Sequence, residues 1–287
     1  MRVVLVGLTG MGNAALTCLR HAGADVAVVI TDPVAGPGFP HYPCRDLIDL
    51  CQAHQVPIWT GIRLRDADAV TRIVGVRPDV LVIATSPKIV PDDLVERMQG
   101  RVINCHPSLL PRHRGPTPIP WTIERGDVEA GLTYIQPTAD LDAGPVWSQA
   151  RVPVDPNETA GDLRHRLDQV LLPATLPVVV QDVAAGRLTP RPQTGIATVE
   201  KRYQGTVPDI DWARMSATDC LRRFRARTPW PGAHVTLAGG SVRLTDLRAT
   251  GQPQAAPPGS VSFDHLPYVT IDVVDARLAG TVATARP

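Results

Sequence analysis

Apolar, largely β-branched runs alternate with helix-length segments through the N-terminal part of the chain, and this alternation constrains its fold most. Arg2–Gly7, Val26–Thr31, Val80–Thr85 and Val102–His106 read as strands, with Asn13–His21, Cys44–His54, Ala67–Val74 and Asp92–Met98 as the helices between them. Strands buried on both faces show up as continuous apolar runs, and a helix joining two such strands returns by a right-handed crossover. The expectation is an α/β fold: a doubly wound, Rossmann-like sheet whose sites lie beyond the carboxyl ends of its strands. Leu132–Pro137 and Val146–Val152 read as two further strands. Pro116 and Pro118 suit the first turn of a short helix that Gly126 closes. A helical pattern from Ala160 to Gly186 contains Pro173 and Pro177, which should break or kink it.

Leu188 to Pro208 is rich in Pro, Gly and Thr without apolar periodicity, as in a linker. Beyond it Ser216–Arg227 is helical in pattern. Short strands follow around Ala233–Leu237, Val242–Leu247, Gly259–Phe263, Val269–Val273 and Thr281–Ala285, a succession that predicts a small barrel, closed or half-closed. With 287 residues, more than a typical single domain, the chain divides into residues 1–190, a linker over 191–208 and a second domain over 209–287. Its sequence shows no apolar run of bilayer-crossing length and no signal-peptide pattern, so a cytoplasmic location without a membrane partner is expected. The five cysteines are scattered and lack C-x-x-C spacing, which argues against a disulfide framework and against a structural metal. A net charge of +1 supplies no global field toward nucleic acid. Leu221–Arg227 is the densest basic stretch, read either as a solvated helix face or as a polyanion contact.

Two motifs carry candidate chemistry. Asn104 and His106 are two apart at the end of a predicted strand and so project to one face. An amide donor beside a titratable imidazole suits acyl transfer, and the nearby Leu141-Asp142-Ala143-Gly144 offers a carboxylate to orient the ring. Cys105 alternates to the other face and reads as core. Gly10-Met11-Gly12-Asn13-Ala14-Ala15 after the first strand, with Asp32 ending the second, matches the fingerprint of an NAD(P)-dependent dehydrogenase. Gly7-Leu8-Thr9 offsets that match. The same glycines also suit a purely structural tight turn, or a helix start whose N–H groups hold an anion.

Asn104-Cys105-His106-Pro107-Ser108-Leu109-Leu110-Pro111, Arg114-Gly115, Thr133 and Leu141–Gly144 together resemble the signature of formyltransferases that use N10-formyltetrahydrofolate. Pro190-Arg191-Pro192-Gln193, Ile210-Asp211-Trp212, Arg225-Ala226 and Pro229–Ala233 extend the resemblance to the linker and second domain of the methionyl-tRNA and amino-sugar members. The resemblance implies an OB-like second domain and a catalytic set of Asn104, His106 and Asp142; in the mechanism expected of such a set a protonated His106 stabilises the tetrahedral oxyanion together with Asn104. It implies that Lys88, Ile89 and Val90, with Pro137 and Asp140, hold the pterin of the N10-formyltetrahydrofolate co-substrate. Gly10, Met11, Gly12, Asn13 and Ser108 are then expected at the acceptor. That acceptor is expected to be the primary amine of a small molecule, an amino-sugar nucleotide or an amino acid. Methionyl-tRNA is the alternative; glycinamide ribonucleotide belongs as a rule to single-domain relatives. tRNA-formylating members carry a basic insertion after the second strand, whereas Thr31–Pro43 contains neither Lys nor Arg.

Overall fold

The computed structural model describes residues 1–33, 45–203, 207–237, 240–265 and 267–283. Two compact units emerge, one of Met1–Pro118, Glu129–Pro153 and Arg164–Glu200, the other of Ile119–Val128, Val154–Leu163 and Lys201–Pro287.

In the first unit β1 (Arg2–Gly7), β2 (Asp25–Ile30), β3 (Ile58–Trp59), β4 (Val80–Ala84), β5 (Val102–His106), β6 (Glu129–Ile135) and β7 (Val146–Pro153) form one sheet in the order β3-β2-β1-β4-β5-β6-β7. The first five are mutually parallel, and the helices α1 (Met11–His21), α2 (Leu47–Ala53), α3 (Ala67–Gly75) and α4 (Asp92–Arg97) make their crossovers. One face of the sheet, through Val4, Val6, Val28, Ile30, Leu81 and Ile83, packs on Val70 and Ile73 of α3 and Leu94 of α4. The alternate residues Val3, Leu5, Val29 and Val82 are fully buried on the other face, where α1 packs on β1, β2 and β4. Strand β3 is only two residues long and escapes a search for periodicity. Strands β6 and β7 are antiparallel to their neighbours; for the β6–β7 pair the short connection excludes the crossover a parallel pair requires. The start of the second expected helix at Cys44 and most of the Thr31–Pro43 loop lie outside the described residues. Helix α2 begins after Asp46, whose carboxylate accepts from the Ile48 N–H at 2.8 Å.

The proline-bearing segment does not break. It runs α5 (Pro118–Glu124) aside, as α6 (Ala160–Arg166), a π-helical turn over Leu167–Leu171, and α7 (Leu172–Ala184) with Pro177 inside it. The wider turn directly before Pro173 relieves the clash of its ring with the carbonyl four residues back. Ala160–Ala184 is the one helix among the described residues long and apolar enough to cross a bilayer. Its Leu167, Leu172, Leu176 and Val180 are buried, and α7 packs on α1, β4 and β7 as a core helix does.

The second unit is built on α8 (Ala217–Arg227) and a five-stranded antiparallel sheet of β8 (Ala233–Leu237), β9 (Gly240–Ala249), β10 (Val261–His265), β11 (Tyr268–Asp272) and β12 (Arg277–Val282), in the order β10-β11-β12-β9-β8. The sheet curls into a half-barrel. Its inner residues Val235, Leu244, Val269, Ile271 and Leu278 close over Cys220 and Phe224 of α8. Ser216 caps that helix by accepting from the Asp219 N–H.

Candidate active site

Strand β5 pairs with β4 on one side and β6 on the other, which brings Asn104 opposite Ile83 and Ile135, and His106 opposite Thr133. Asn104 is half-buried, and its amide has no hydrogen-bond partner among the described residues. His106 is 5% exposed. Its Nε2 lies 3.1 Å from the His113 carbonyl oxygen. A carbonyl only accepts, so Nε2 carries the hydrogen and Nδ1 keeps its lone pair. Nδ1 faces Asp142 Oδ2 at 3.7 Å, too long for a direct hydrogen bond but close for a charge.

Asp142 sits in the β6–β7 loop with a left-handed backbone, φ 48°. Its Oδ2 accepts from the Gly115 N–H at 2.8 Å, which aims the carboxylate at the imidazole. Two residues on, a Cβ at Gly144 would collide with the Gln136 carbonyl oxygen, so the loop closes on the end of β6 only with glycine there. Burial pushes the His106 pKa below its usual 6.5, while the Asp142 charge and the His113 carbonyl bond pull the other way. Desolvation of the ring thus outweighs a carboxylate that does not touch it, which favours the neutral imidazole over the protonated one.

The remaining candidate residues are placed as follows. The Lys88 ammonium donates to Asp32 Oδ2 at 2.5 Å and to the Ile62 carbonyl at 2.7 Å. Asp32 also accepts from the Gly61 N–H, and its bond to Lys88 holds its carboxyl below the usual range. The acidic residue of the dinucleotide fingerprint is thus occupied by the loop's own lysine. Beside it Ile89 is 73% exposed and Val90 half-buried, in the connection that leaves β4 next to the end of β5. Pro137 is half-buried and Asp140 exposed, in the loop that carries Asp142. Ser108 is buried; its N–H donates to the His106 carbonyl and its Oγ to the Arg112 carbonyl, and Thr133 Oγ1 donates to the Ser108 carbonyl. Together these bonds shape the turn after β5.

The glycine turn is closely packed. Met11, Gly12 and Asn13 are buried. The N–H of Gly10 donates to Asn13 Oδ1, that of Gly12 to the Leu8 carbonyl and that of Asn13 to the Gly10 carbonyl. A Cβ at Gly7 would meet the Ala84 carbonyl oxygen at 2.9 Å, and one at Gly12 would meet Leu47 Cδ2 at 2.9 Å. These contacts account for both glycines by packing of β1 and α1 against β4 and α2. Cys105 points away from His106, and burial raises its thiol pKa well above the usual value, so it is no nucleophile.

The geometry also enlists groups that carry no functional signal in the sequence. The His113 carbonyl and the Gly115 N–H are backbone atoms. Gln193 belongs to the Pro190–Gln193 run, but nothing in its spacing assigns it a partner; its Nε2 donates to the carbonyls of Asp142 and Gly144.

Comparison with known proteins places this arrangement. Residues 1–179 match the family described as Formyl transferase, and residues 208–271 the one described as Formyl transferase, C-terminal domain. The chain is 33% identical over 247 residues to the methionyl-tRNA formyltransferase of Pseudomonas putida (strain GB-1), spanning 85% of this chain and 79% of that one. Among solved structures, WlaRD, a sugar 3N-formyltransferase crystallised with dTDP and 5-N-formyl-THF, superposes with a TM-score of 0.73 at 15% identity, over 100% of this chain and 99% of that one. An N-formyltransferase from Helicobacter canadensis, in complex with folinic acid and dTDP-3-aminofucose, gives 0.71 at 15% identity, over 98% and 99%. Those two likenesses are of fold, and they agree with the sequence matches: the chain belongs to the formyl transferase family.

Proposed function

We propose that this formyltransferase moves the formyl group of N10-formyltetrahydrofolate to the primary amine of a small molecule, an amino sugar on a nucleotide or a free amino acid. Asn104, His106 and Asp142 are its catalytic set. Asn104 Nδ2 donates to the formyl oxygen, stabilising the negative charge that develops as the amine nitrogen attacks the carbonyl carbon. Neutral His106 takes the proton of the attacking nitrogen on Nδ1, and Asp142 stabilises the imidazolium so formed. The same proton passes to N10 as the C–N10 bond breaks, so a new C–N bond replaces the old one and tetrahydrofolate leaves. The observation that carries this chemistry is the fixed His106 tautomer, with a lone pair on the nitrogen that faces a carboxylate. The loops of Lys88–Val90 and of Pro137 and Asp140 are the pterin contacts in this reading, through backbone groups and aliphatic walls, because the Lys88 ammonium is held by Asp32. The enzyme acts in the cytoplasm, with residues 1–190 as its catalytic part.

The choice of acceptor rests on the Thr31–Pro43 segment, which contains neither Lys nor Arg, and the basic run of α8 is in part tied up by its own unit. Arg223 is paired with Glu124 at 2.7 Å, and Arg227, 7% exposed, donates to the carbonyls of Gly232, Val207 and Pro208. These two arginines are committed within the second unit, while Arg222 and Arg225 of the same run are half-buried; phosphate contacts supply most of the affinity for a nucleic acid. Methionyl-tRNA is the second reading, favoured by the 33% identity to an enzyme of that name. The test measures release of tetrahydrofolate, at physiological salt, with charged initiator tRNA, nucleotide-linked amino sugars and ornithine as acceptors. Turnover of the tRNA with none of the small amines accepted overturns the choice of acceptor; absence of turnover with every amine overturns the transfer itself.

A further inference from the structure

Asp142 holds a left-handed backbone, a region that Asp visits more readily than most non-glycine residues. Its loop is held by the proline-rich segment after α7. Arg191 makes a two-way backbone bridge to Val146, and Thr198 and Glu200 bracket Arg114 through backbone bonds of 2.9 and 2.8 Å. Between these two anchors, Gln193 alone among residues 191–197 is not exposed. Its Nε2 donates to the Asp142 carbonyl at 2.7 Å and to the Gly144 carbonyl at 2.9 Å, while its Oε1 accepts from Arg114 Nη2 at 2.7 Å and Nε at 3.2 Å. The amide cannot be turned round, because a guanidinium only donates and the two carbonyls only accept. One side chain thus ties the Asp142 loop to the residue between His113, whose carbonyl orients His106, and Gly115, whose N–H orients the Asp142 carboxylate.

We propose that Gln193 is a positioning residue for formyl transfer: it sets the His106–Asp142 distance by clamping the Asp142 loop to the His113–Gly115 segment. The inference rests on the catalytic reading of His106 and Asp142. Two substitutions separate the clamp from mere adhesion of the segment. Gln193→Met removes every polar contact at near-constant shape; Gln193→Glu keeps an acceptor for Arg114, loses the donor to the Asp142 and Gly144 carbonyls and adds a negative charge, so the His106 titration is read in Gln193→Met.

The experiment measures kcat, KM for formyltetrahydrofolate and the His106 NMR titration of the substrate-free protein, in both variants and in Asp142→Asn, with circular dichroism as the check on folding. The titratable groups facing His106 are Asp142 and His113, the latter 3.7 Å from Glu200. Expected for both Gln193 variants are a kcat loss of about 10²-fold, the size a small misplacement of a catalytic group produces, and an unchanged KM, and for the uncharged Gln193→Met a His106 midpoint displaced downward toward that of Asp142→Asn. Wild-type kcat in Gln193→Glu overturns the proposal, even if Gln193→Met fails to fold. So does a kcat loss with an unmoved His106 midpoint in Gln193→Met, which marks a structural role only. A severely impaired Asp142→Asn beside a normal Gln193→Glu sinks the clamp alone, whereas a fully active Asp142→Asn sinks the catalytic reading and the clamp with it.

Discussion

Replacing Asp142 by Asn keeps the shape of the side chain and its acceptor for the Gly115 N–H but removes the charge that faces His106. With 3.7 Å between Asp142 Oδ2 and His106 Nδ1, and an effective dielectric of about 20, Coulomb's law gives roughly 4 kcal/mol of imidazolium stabilisation before solvent and reorganisation reduce it. About 1.4 kcal/mol corresponds to a tenfold rate change, so the ceiling is a loss of about 10³ in kcat and the expected loss on the order of 10²–10³. The sign of the pH effect follows from the same charge. Burial already lowers the His106 pKa and Asp142 opposes it, so the substitution lowers it further. A base that must be neutral stops working as pH falls through its pKa; the acid limb of the kcat profile should therefore move to lower pH while the plateau drops. The assay is tetrahydrofolate release across a pH series with a saturating amine that the wild type accepts, paired with NMR titration of His106. A variant with an undiminished plateau and an unmoved His106 midpoint would detach Asp142 from the mechanism.

His106→Ala should fold normally and lose turnover by orders of magnitude, since both the proton carrier and the imidazolium are gone; near-normal kcat at saturating substrate would refute the role. Asn104→Ala should lose about 10²–10³, the usual contribution of one oxyanion donor, with little change in the folate KM. In thermal melts 5-formyltetrahydrofolate should raise Tm by mass action while NAD and NADP do not, and a shift with NADP alone would revive the dehydrogenase reading despite the Lys88–Asp32 pair. Gly144→Ala should cost about 1–3 kcal/mol in chemical denaturation, as overpacking does, and depress kcat as well, because the new Cβ collides with the Gln136 carbonyl; an unaffected protein would show that the Asp142 loop accommodates the change.

The parts of this protein that were legible in its sequence are those where the chemistry sits in side-chain type and spacing. β1, β2, β4 and β5 announce themselves as apolar runs because both faces are buried, and Asn104 and His106 follow from the period of a strand. The antiparallel turn of the sheet at β6 was not legible, since hydrophobic runs carry no direction. Nor was the π-helical turn before Pro173, because proline signals a conflict with the helix without saying how tertiary packing resolves it. Within the site, the protonation state of His106 is a balance between burial and a charge at 3.7 Å, and neither distance nor burial is written in a motif. The least legible contribution is that of 191–200. Its composition reads as a linker because it forms no helix or strand and exposes most of its side chains, yet its backbone pairs with Val146 and Arg114 and Gln193 reaches the Asp142 loop. A segment without apolar periodicity can still be fixed when its ends are pinned by backbone hydrogen bonds and its middle by a single amide that satisfies donors and acceptors at once. That is why the proline-rich stretch, rather than the turn after β1, is the place where a substitution distant from the reacting atoms should reach the chemistry.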